Sequence, residues 1–311
     1  MCDSVSEKRA KFDRDGYAIY EDVLDAGLVA EASAHVDWLA KRNPGLRPEN
    51  LGHNLVAEDP FWVRLIGDER LLDIAEQYLG PNIALFASHY ISKPPEDGQP
   101  VLWHQDGSYW PLEPMEVVTL WLAVDDSQPE NGCMRVVPGT QGMELHEMKA
   151  STDTPNVLSS QMDSELVDEE RAVDIVLKAG GVSVHHPNIV HGSNPNTSGK
   201  RRCGLTIRYI PTTTRITKQP WECAFLLRGE AVEGVNEYSP RPRYVKGEDL
   251  AFRGCEVGCR WDVPMNTEVR VAVDTMATHE IVAVRRVPTA NFNFLVVLFL
   301  NAAIFPAHRG R

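Results

Sequence analysis

Two His-x-Asp tripeptides stand in this chain, His35-Val36-Asp37 and His104-Gln105-Asp106. An imidazole and a carboxylate two residues apart can share a divalent metal only where the backbone aims both at one point, and local periodicity decides that. The first copy lies in a pattern of three- and four-residue apolar steps, Leu28, Val29, Ala32, Val36 and Leu39. That spacing predicts a helix, on which residues two apart point to opposite sides. The second copy closes a strand-like run over 101–104, where residues two apart share a face. A third ligand is His191, in Ile189-Val190-His191-Gly192-Ser193, on a later strand-like segment. Two imidazoles and one carboxylate on one face of an octahedral metal leave three positions open. Iron(II) enzymes use that arrangement to bind a bidentate cosubstrate and then O₂. His185 and His186 compete for the third place, but His185-His186-Pro187 leads straight into a turn, so they read as core histidines or as partners that orient the ligands.

Arg202 opens a run in which Cys203, Leu205, Ile207 and Tyr209 alternate with Arg202, Gly204, Thr206 and Arg208. With the first set packed in a core, the second set faces a barrel interior or its mouth. An inward arginine needs an anion. The distal carboxylate of 2-oxoglutarate matches the planar guanidinium fork, with Ser193 as a second donor; the competing reading is an ion pair with a barrel-lining Asp or Glu. Arg201 has the opposite parity and points outward. Over 117–124 the apolar face is Val118, Leu120, Leu122 and Val124, and the other face carries Thr119 and Trp121. Trp121, with Thr119 beside it, flanks the cosubstrate or joins the core.

These residues need a frame. Asp25 caps a helix predicted to run to Lys41, and a second helix is predicted over 68–78 with Gly80 as its stop. Residues 12–23 read as a polar entry, a glycine turn and a strand, so two helices precede the first long strand. From Pro81 the texture becomes short β-branched and aromatic runs between Pro, Gly, Asn and Asp clusters, with strands expected at 83–91, 101–104, 117–124, 134–137, 173–177, 182–186 and 202–210. The expected fold is mainly β with flanking helices, around a double-stranded β-helix core of the jelly-roll or cupin kind. Residues 141–172 are polar and acidic and read as an insertion covering one mouth of the barrel.

The formal net charge of -13 opposes a phosphate backbone, so nucleic acid is not an expected partner. Six cysteines behind a charged N-terminus suggest reduced thiols and an intracellular, cytoplasmic setting. Cys255 and Cys259 are spaced like a metal pair, but nothing completes a zinc site. No stretch reaches the roughly 20 apolar residues of a membrane span. The nearest run, 292–305, is interrupted by Asn293 and Asn301 and reads as a buried strand, and Arg309-Gly310-Arg311 is not a peroxisomal address.

Several ordered motifs resemble the phytanoyl-CoA dioxygenase family of iron(II)- and 2-oxoglutarate-dependent oxygenases, which also holds ectoine hydroxylase and many natural-product oxygenases. They are F-x-x-x-G-Y at 12–17, GPNI at 80–83, SKPP at 92–95, WHQD at 103–106, NGCMRVVPGT at 131–140 and HHPNIVHGSNPN at 185–196, followed by Arg202. The resemblance covers about residues 12–215. It implies His104, Asp106 and His191 as iron ligands, Arg202 and Ser193 on the far carboxylate of 2-oxoglutarate, and Trp121 beside that cosubstrate. Positions that help bind it in some members fall here near His53 or Asn54 and at His89. Halogenating relatives replace the carboxylate ligand with a small residue; the presence of Asp106 points to hydroxylation, with succinate and CO₂ released. Desaturation, epoxidation or cyclisation would use the same ligands, and a jelly roll binding metal without turnover is the rival outside enzymes. Substrate selection falls to Trp103, Tyr109, Trp110, the 141–172 insertion and Arg208, the last either on a substrate carboxylate or in an ion pair. The expected partner is a small-molecule substrate. The oxygenase domain is assigned to 1–254, with 255–311 an extension that matches nothing in the family.

Overall fold

The computed structural model describes residues 4–151 and 153–255. Cys259, the 292–305 run and the terminal 309–311 lie outside them, as does nearly all of the extension assigned to 255–311. Four helices precede the first long strand, not two: α1 (Val5–Asp15), α2 (Ala26–Arg42), α3 (Pro60–Ile66) and α4 (Glu69–Leu79), with strand β1 (Tyr17–Tyr20) after the first. The two missed helices lack an amphipathic signal. In α1 only Phe12 is buried, and the helix is fixed by a capping box between Ser4 and Glu7 and by Gly16 in the left-handed region. In α3 nearly every residue is buried, so no polar face marks the period; Asp59 caps it by accepting the Trp62 N–H at 2.7 Å. Asp25 caps α2 as the sequence predicts, and Asp68, expected as the first residue of the next helix, is the cap of α4.

The strands follow: β2 (Ile83–Lys93), β3 (Val101–His104), β4 (Leu112–Glu113), β5 (Val118–Ala123), β6 (Met134–Val136), β7 (Lys149–Ala150), β8 (Ser160–Gln161), β9 (Val173–Ile175), β10 (Val182–His185), β11 (His191–Ser193), β12 (Arg202–Pro211), β13 (Arg215–Ile216) and β14 (Phe225–Arg228). A six-stranded sheet runs β1-β10-β5-β12-β2-β14 and a four-stranded sheet runs β3-β11-β6-β9, with antiparallel pairing throughout. This is the double-stranded β-helix core with helices outside.

Alternation along β12 divides the molecule. Cys203, Leu205, Ile207 and Tyr209 join the large core that takes in Leu28, Ala32 and Val36 of α2, most of α3, and Leu71, Leu72, Ile74 and Ala75 of α4. Arg202, Thr206 and Arg208 face the cavity between the sheets. Gly204 shares that inward face, where a Cβ would stand 2.0 Å from Trp121, so only glycine lets the indole lie across the strand. The 141–172 segment is tied onto the four-stranded sheet. The Met162 N–H donates to the Trp103 carbonyl at 2.7 Å, and Met162 is buried with Val137 and Val190.

Candidate metal centre

β3 and β11 are hydrogen-bonded neighbours in which His191 stands directly opposite His104. Each imidazole is oriented from behind: His104 Nδ1 lies 2.8 Å from the Leu102 carbonyl and His191 Nδ1 3.0 Å from the Ile189 carbonyl. A carbonyl only accepts, so Nδ1 carries the proton in both rings and each Nε2 lone pair is left for a ligand. Asp106 begins a short 3-10 turn directly after β3, which carries its carboxylate back toward the rings. His104 Nε2 lies 3.5 Å from Asp106 Oδ1, and one ligand atom from each of His104, Asp106 and His191 falls within 4.8 Å of the others. Bonds of about 2.1 Å at right angles put neighbouring ligands about 3 Å apart, so the three fit one octahedral ion with little movement.

The electrostatics suit a cation. All three side chains are buried, and Asp106 Oδ2 has no hydrogen-bond partner among the described residues. Burial by itself would raise the Asp106 carboxyl; the Arg208 charge and the imidazoles of His104 and His185 outweigh it and hold Asp106 well below the ordinary carboxylate range. Burial, then the neighbouring His104, pushes His191 well below the usual imidazole value, which keeps it neutral and able to ligate. The segment after Asp106 is anchored by Gln105, whose amide donates to the carbonyls of Glu144 and Asn188 and accepts the His146 N–H at 3.0 Å.

One cavity is lined by all three of these residues together with Ser193, Arg202, Trp121, Thr206, Arg208 and His185. At one end the Arg202 guanidinium donates to the Gly132 carbonyl at 2.7 and 3.0 Å and to Ser193 Oγ at 3.3 Å, and lies 5.4 Å above the Trp121 ring. Gly132 holds φ at +76°, and a Cβ there would sit 2.5 Å from the Asn194 carbonyl. Lys93, missed by the sequence reading, completes this end. It is 0% exposed, stands opposite Arg202 in the ladder, and donates to Ser193 Oγ at 2.7 Å and to the Asn194 carbonyl at 2.5 Å. Burial, then the Arg202 charge, pushes the Lys93 ammonium down to about 5. The available signal was parity: His89, Ile91 and Lys93 alternate along β2, which runs two residues past the boundary expected at Ile91.

The other expected residues are distributed as follows. Thr119 is buried between His185 on β10 and Arg208 on β12, its cross-strand partners. His89 pairs with Arg208 through Nδ1 at 3.0 Å, while Nε2 faces Gly52. Asn54 is exposed on a 3-10 turn and is not brought to the cavity. Trp103 is also turned away. His104 faces in, so its neighbour faces out, where the indole packs on the 141–172 side under the Arg135 guanidinium. Tyr109 stands at the rim, its hydroxyl 2.7 Å from Ser160 Oγ and its ring 6.2 Å from His104. Trp110 packs on Phe86 and lies under Arg208 at 5.4 Å. His185 lines the cavity 3.7 Å from Asp106 Oδ2 with neither ring nitrogen hydrogen-bonded among the described residues, whereas His186 turns outward and accepts the Asn188 N–H.

Comparison with known proteins adds a second line. Residues 12–204 match the family model described as Phytanoyl-CoA dioxygenase (PhyH). The chain is 31% identical over 147 residues to a probable alpha-ketoglutarate-dependent hypophosphite dioxygenase of Stutzerimonas stutzeri, covering 47% of this chain and 51% of that protein, so the match spans about half of that relative. It is 27% identical to the ectoine dioxygenase of Sphingopyxis alaskensis, covering 72% of this chain and 83% of that one. Among solved structures the non-heme monooxygenase ThoJ shares the fold, with a TM-score of 0.64 at 23% identity over 77% of this chain and 88% of that one.

Proposed function

The chain belongs to the phytanoyl-CoA dioxygenase family of iron(II)- and 2-oxoglutarate-dependent oxygenases, and on that premise we propose that His104, Asp106 and His191 hold the iron of a hydroxylase acting on a small organic molecule. The observation that carries the reading is the convergence of one ligand atom from each of three buried side chains to within 4.8 Å of one another, with Asp106 Oδ2 lacking a hydrogen-bond partner among the described residues. When bound, iron(II) with 2-oxoglutarate and O₂ supplies the oxidation: the cosubstrate loses CO₂ to become succinate, taking one oxygen atom, and the other enters a substrate C–H bond.

The residues of the chain do the rest. Arg202 and Ser193 hold the distal carboxylate of 2-oxoglutarate. Ser193 Oγ already accepts from Lys93 and Arg202, which occupies both lone pairs and leaves its single O–H free to donate to that carboxylate. Trp121, pressed over Gly204, forms the flat wall along the cosubstrate. Ile91, Met134 and Leu158 add apolar surface that keeps water from the reacting carbon.

We assign the oxygenase domain to residues 1–254 and give 255–311 no role. Among the described residues no helix is long and apolar enough to cross a membrane. The net charge of -13 supports a partner that is not nucleic acid, and four unpaired cysteines among the described residues support a reducing, intracellular setting.

The test is calorimetry of 2-oxoglutarate binding to the Mn(II)-loaded protein, with succinate release measured under iron(II). Binding should require metal, vanish in His191→Ala, and weaken by more than about tenfold in Arg202→Met, the scale of a lost charge-assisted hydrogen-bond pair. Metal-independent binding, or unchanged metal affinity in His191→Ala, would overturn the assignment.

A further inference from the structure

The six-stranded sheet places β10, β5 and β12 side by side, and one residue from each forms a row inside the barrel: His185 opposite Thr119, and Thr119 opposite Arg208. All three are buried, at 1%, 0% and 9% exposure. All three also carry unpartnered polar atoms among the described residues: both ring nitrogens of His185, Thr119 Oγ1 and Arg208 Nε. Buried donors are normally satisfied, and three adjacent exceptions on one inward face mark a place where a ligand supplies the acceptor. We propose that His185 and Arg208, which line the cavity, form with Thr119 between them the subsite for the acidic group of a small, singly charged oxyanion substrate, held beside the metal. The proposal rests on the reading of the metal centre given above.

Arg208 is pre-set for the task. Its Nη1 donates to Thr206 Oγ1 at 2.7 Å and is held by His89 Nδ1 at 3.0 Å, and its plane lies over Trp110. Among the described residues the one carboxylate facing it is Asp106, at 3.6 Å from Nη2, which is beyond hydrogen-bond reach. That carboxylate is a ligand of the metal and so cannot remain the full counterion of the guanidinium. Among the described residues the other titratable neighbours, His185, His89 and beyond it His53, bring no negative charge. The charge of the loaded cavity points the same way. Iron(II) brings two positive charges and the two arginines one each, while Asp106 and the dianionic cosubstrate remove three. With Lys93 kept neutral by its burial, one positive charge is left for the substrate to neutralise.

The cosubstrate does not account for the row, because its distal carboxylate has Arg202, six residues away along β12, with Ser193 of β11 and Lys93 of β2 beside it. Carboxylates and phosphorus oxyanions present the same chemistry to this row, and the experiment separates them. Protein loaded with Mn(II) and 2-oxoglutarate is titrated calorimetrically with acetate, with hypophosphite and with the neutral acetamide. At least one anion should bind and acetamide should not, and the preferred anion identifies the substrate class. Arg208→Gln should weaken anion binding at least about tenfold while changing the 2-oxoglutarate Kd less than about threefold, and Arg208→Lys should recover part of the loss. Acetamide binding as tightly as acetate, no anion binding to properly loaded protein, or full anion binding in Arg208→Gln overturns the subsite. Loss of 2-oxoglutarate affinity in Arg208→Gln also overturns it, by giving the row to the cosubstrate. Wild-type protein that takes up neither Mn(II) nor 2-oxoglutarate removes the metal-centre reading itself, and the subsite falls with it.

Discussion

His35 and Asp37 are separated by one residue, as are His104 and Asp106, yet the first two side chains part company and the second two meet. In α2 the helical turn sends His35 into the core, where Nε2 lies 2.8 Å from Asp59 and Nδ1 3.2 Å from the Tyr90 hydroxyl. Asp37 goes to the surface and pairs with Arg201 at 2.8 Å. At the end of β3, extended backbone followed by a 3-10 turn keeps both groups on one side of the chain, 3.5 Å apart. The partners differ as well. Both nitrogens of His35 are occupied by protein atoms, whereas the Nε2 atoms of His104 and His191 and Oδ2 of Asp106 have no hydrogen-bond partner among the described residues. A ligand pair is thus a property of the backbone path and of what remains unpaired, not of the two residue types.

The largest effect should come from breaking the second copy. Asp106→Ala should abolish succinate release and weaken metal binding more than about 100-fold, since changes to groups merely behind a ligand already cost about 10–100-fold; metal titration and a coupled succinate assay read both. The matching change in the first copy should do the reverse. His35→Ala removes a buried ring and strands Asp59, so chemical denaturation should show a loss of about 2–4 kcal/mol with metal affinity retained. Equal metal affinity in the two variants would erase the distinction between the copies.

A smaller effect sharpens the electrostatic contrast between His35, which has a carboxylate, and Lys93, whose hydrogen bonds among the described residues go to Ser193 and a carbonyl. Lys93 is held at about 5 in the folded chain against an ordinary 10.5 when unfolded. Between those values the unfolded chain binds the extra proton, so this lysine makes the ligand-free protein more stable as pH rises, by at most about 1.4 kcal/mol per unit, and less stable as pH falls toward 5. Lys93→Met should therefore flatten the stability curve between pH 6 and 8, measured by urea unfolding. Asp37→Ala should be the least visible, under about 1 kcal/mol, because its pair with Arg201 is more than half exposed on the acid side.

How much of this was legible follows from the reach of each signal. The two-residue period of a long strand carries information without any knowledge of neighbours, which is why Arg202, Arg208 and Trp121 could be turned inward from sequence and Arg201 outward. Applied to β3, the same rule would have turned Trp103 outward. Lys93 was lost to a strand boundary drawn two residues early. The helices α1 and α3 were lost because one buries almost nothing and the other almost everything. The row of His185, Thr119 and Arg208 was beyond reading, since it exists only through the order β10-β5-β12, which chain order does not reveal.

β3 is an edge strand of the four-stranded sheet, joined there to β11 alone through two register pairs with an irregularity between them. One of those pairs is His104 with His191, so an ion shared by the two rings would act as a removable cross-link between segments far apart in the chain. A staple of this kind acts on opening rates as well as on chemistry. With metal at a hundred times its Kd the folded state gains about 2.7 kcal/mol, and after chelation the amides of β3 should be the first of that sheet to exchange with deuterium.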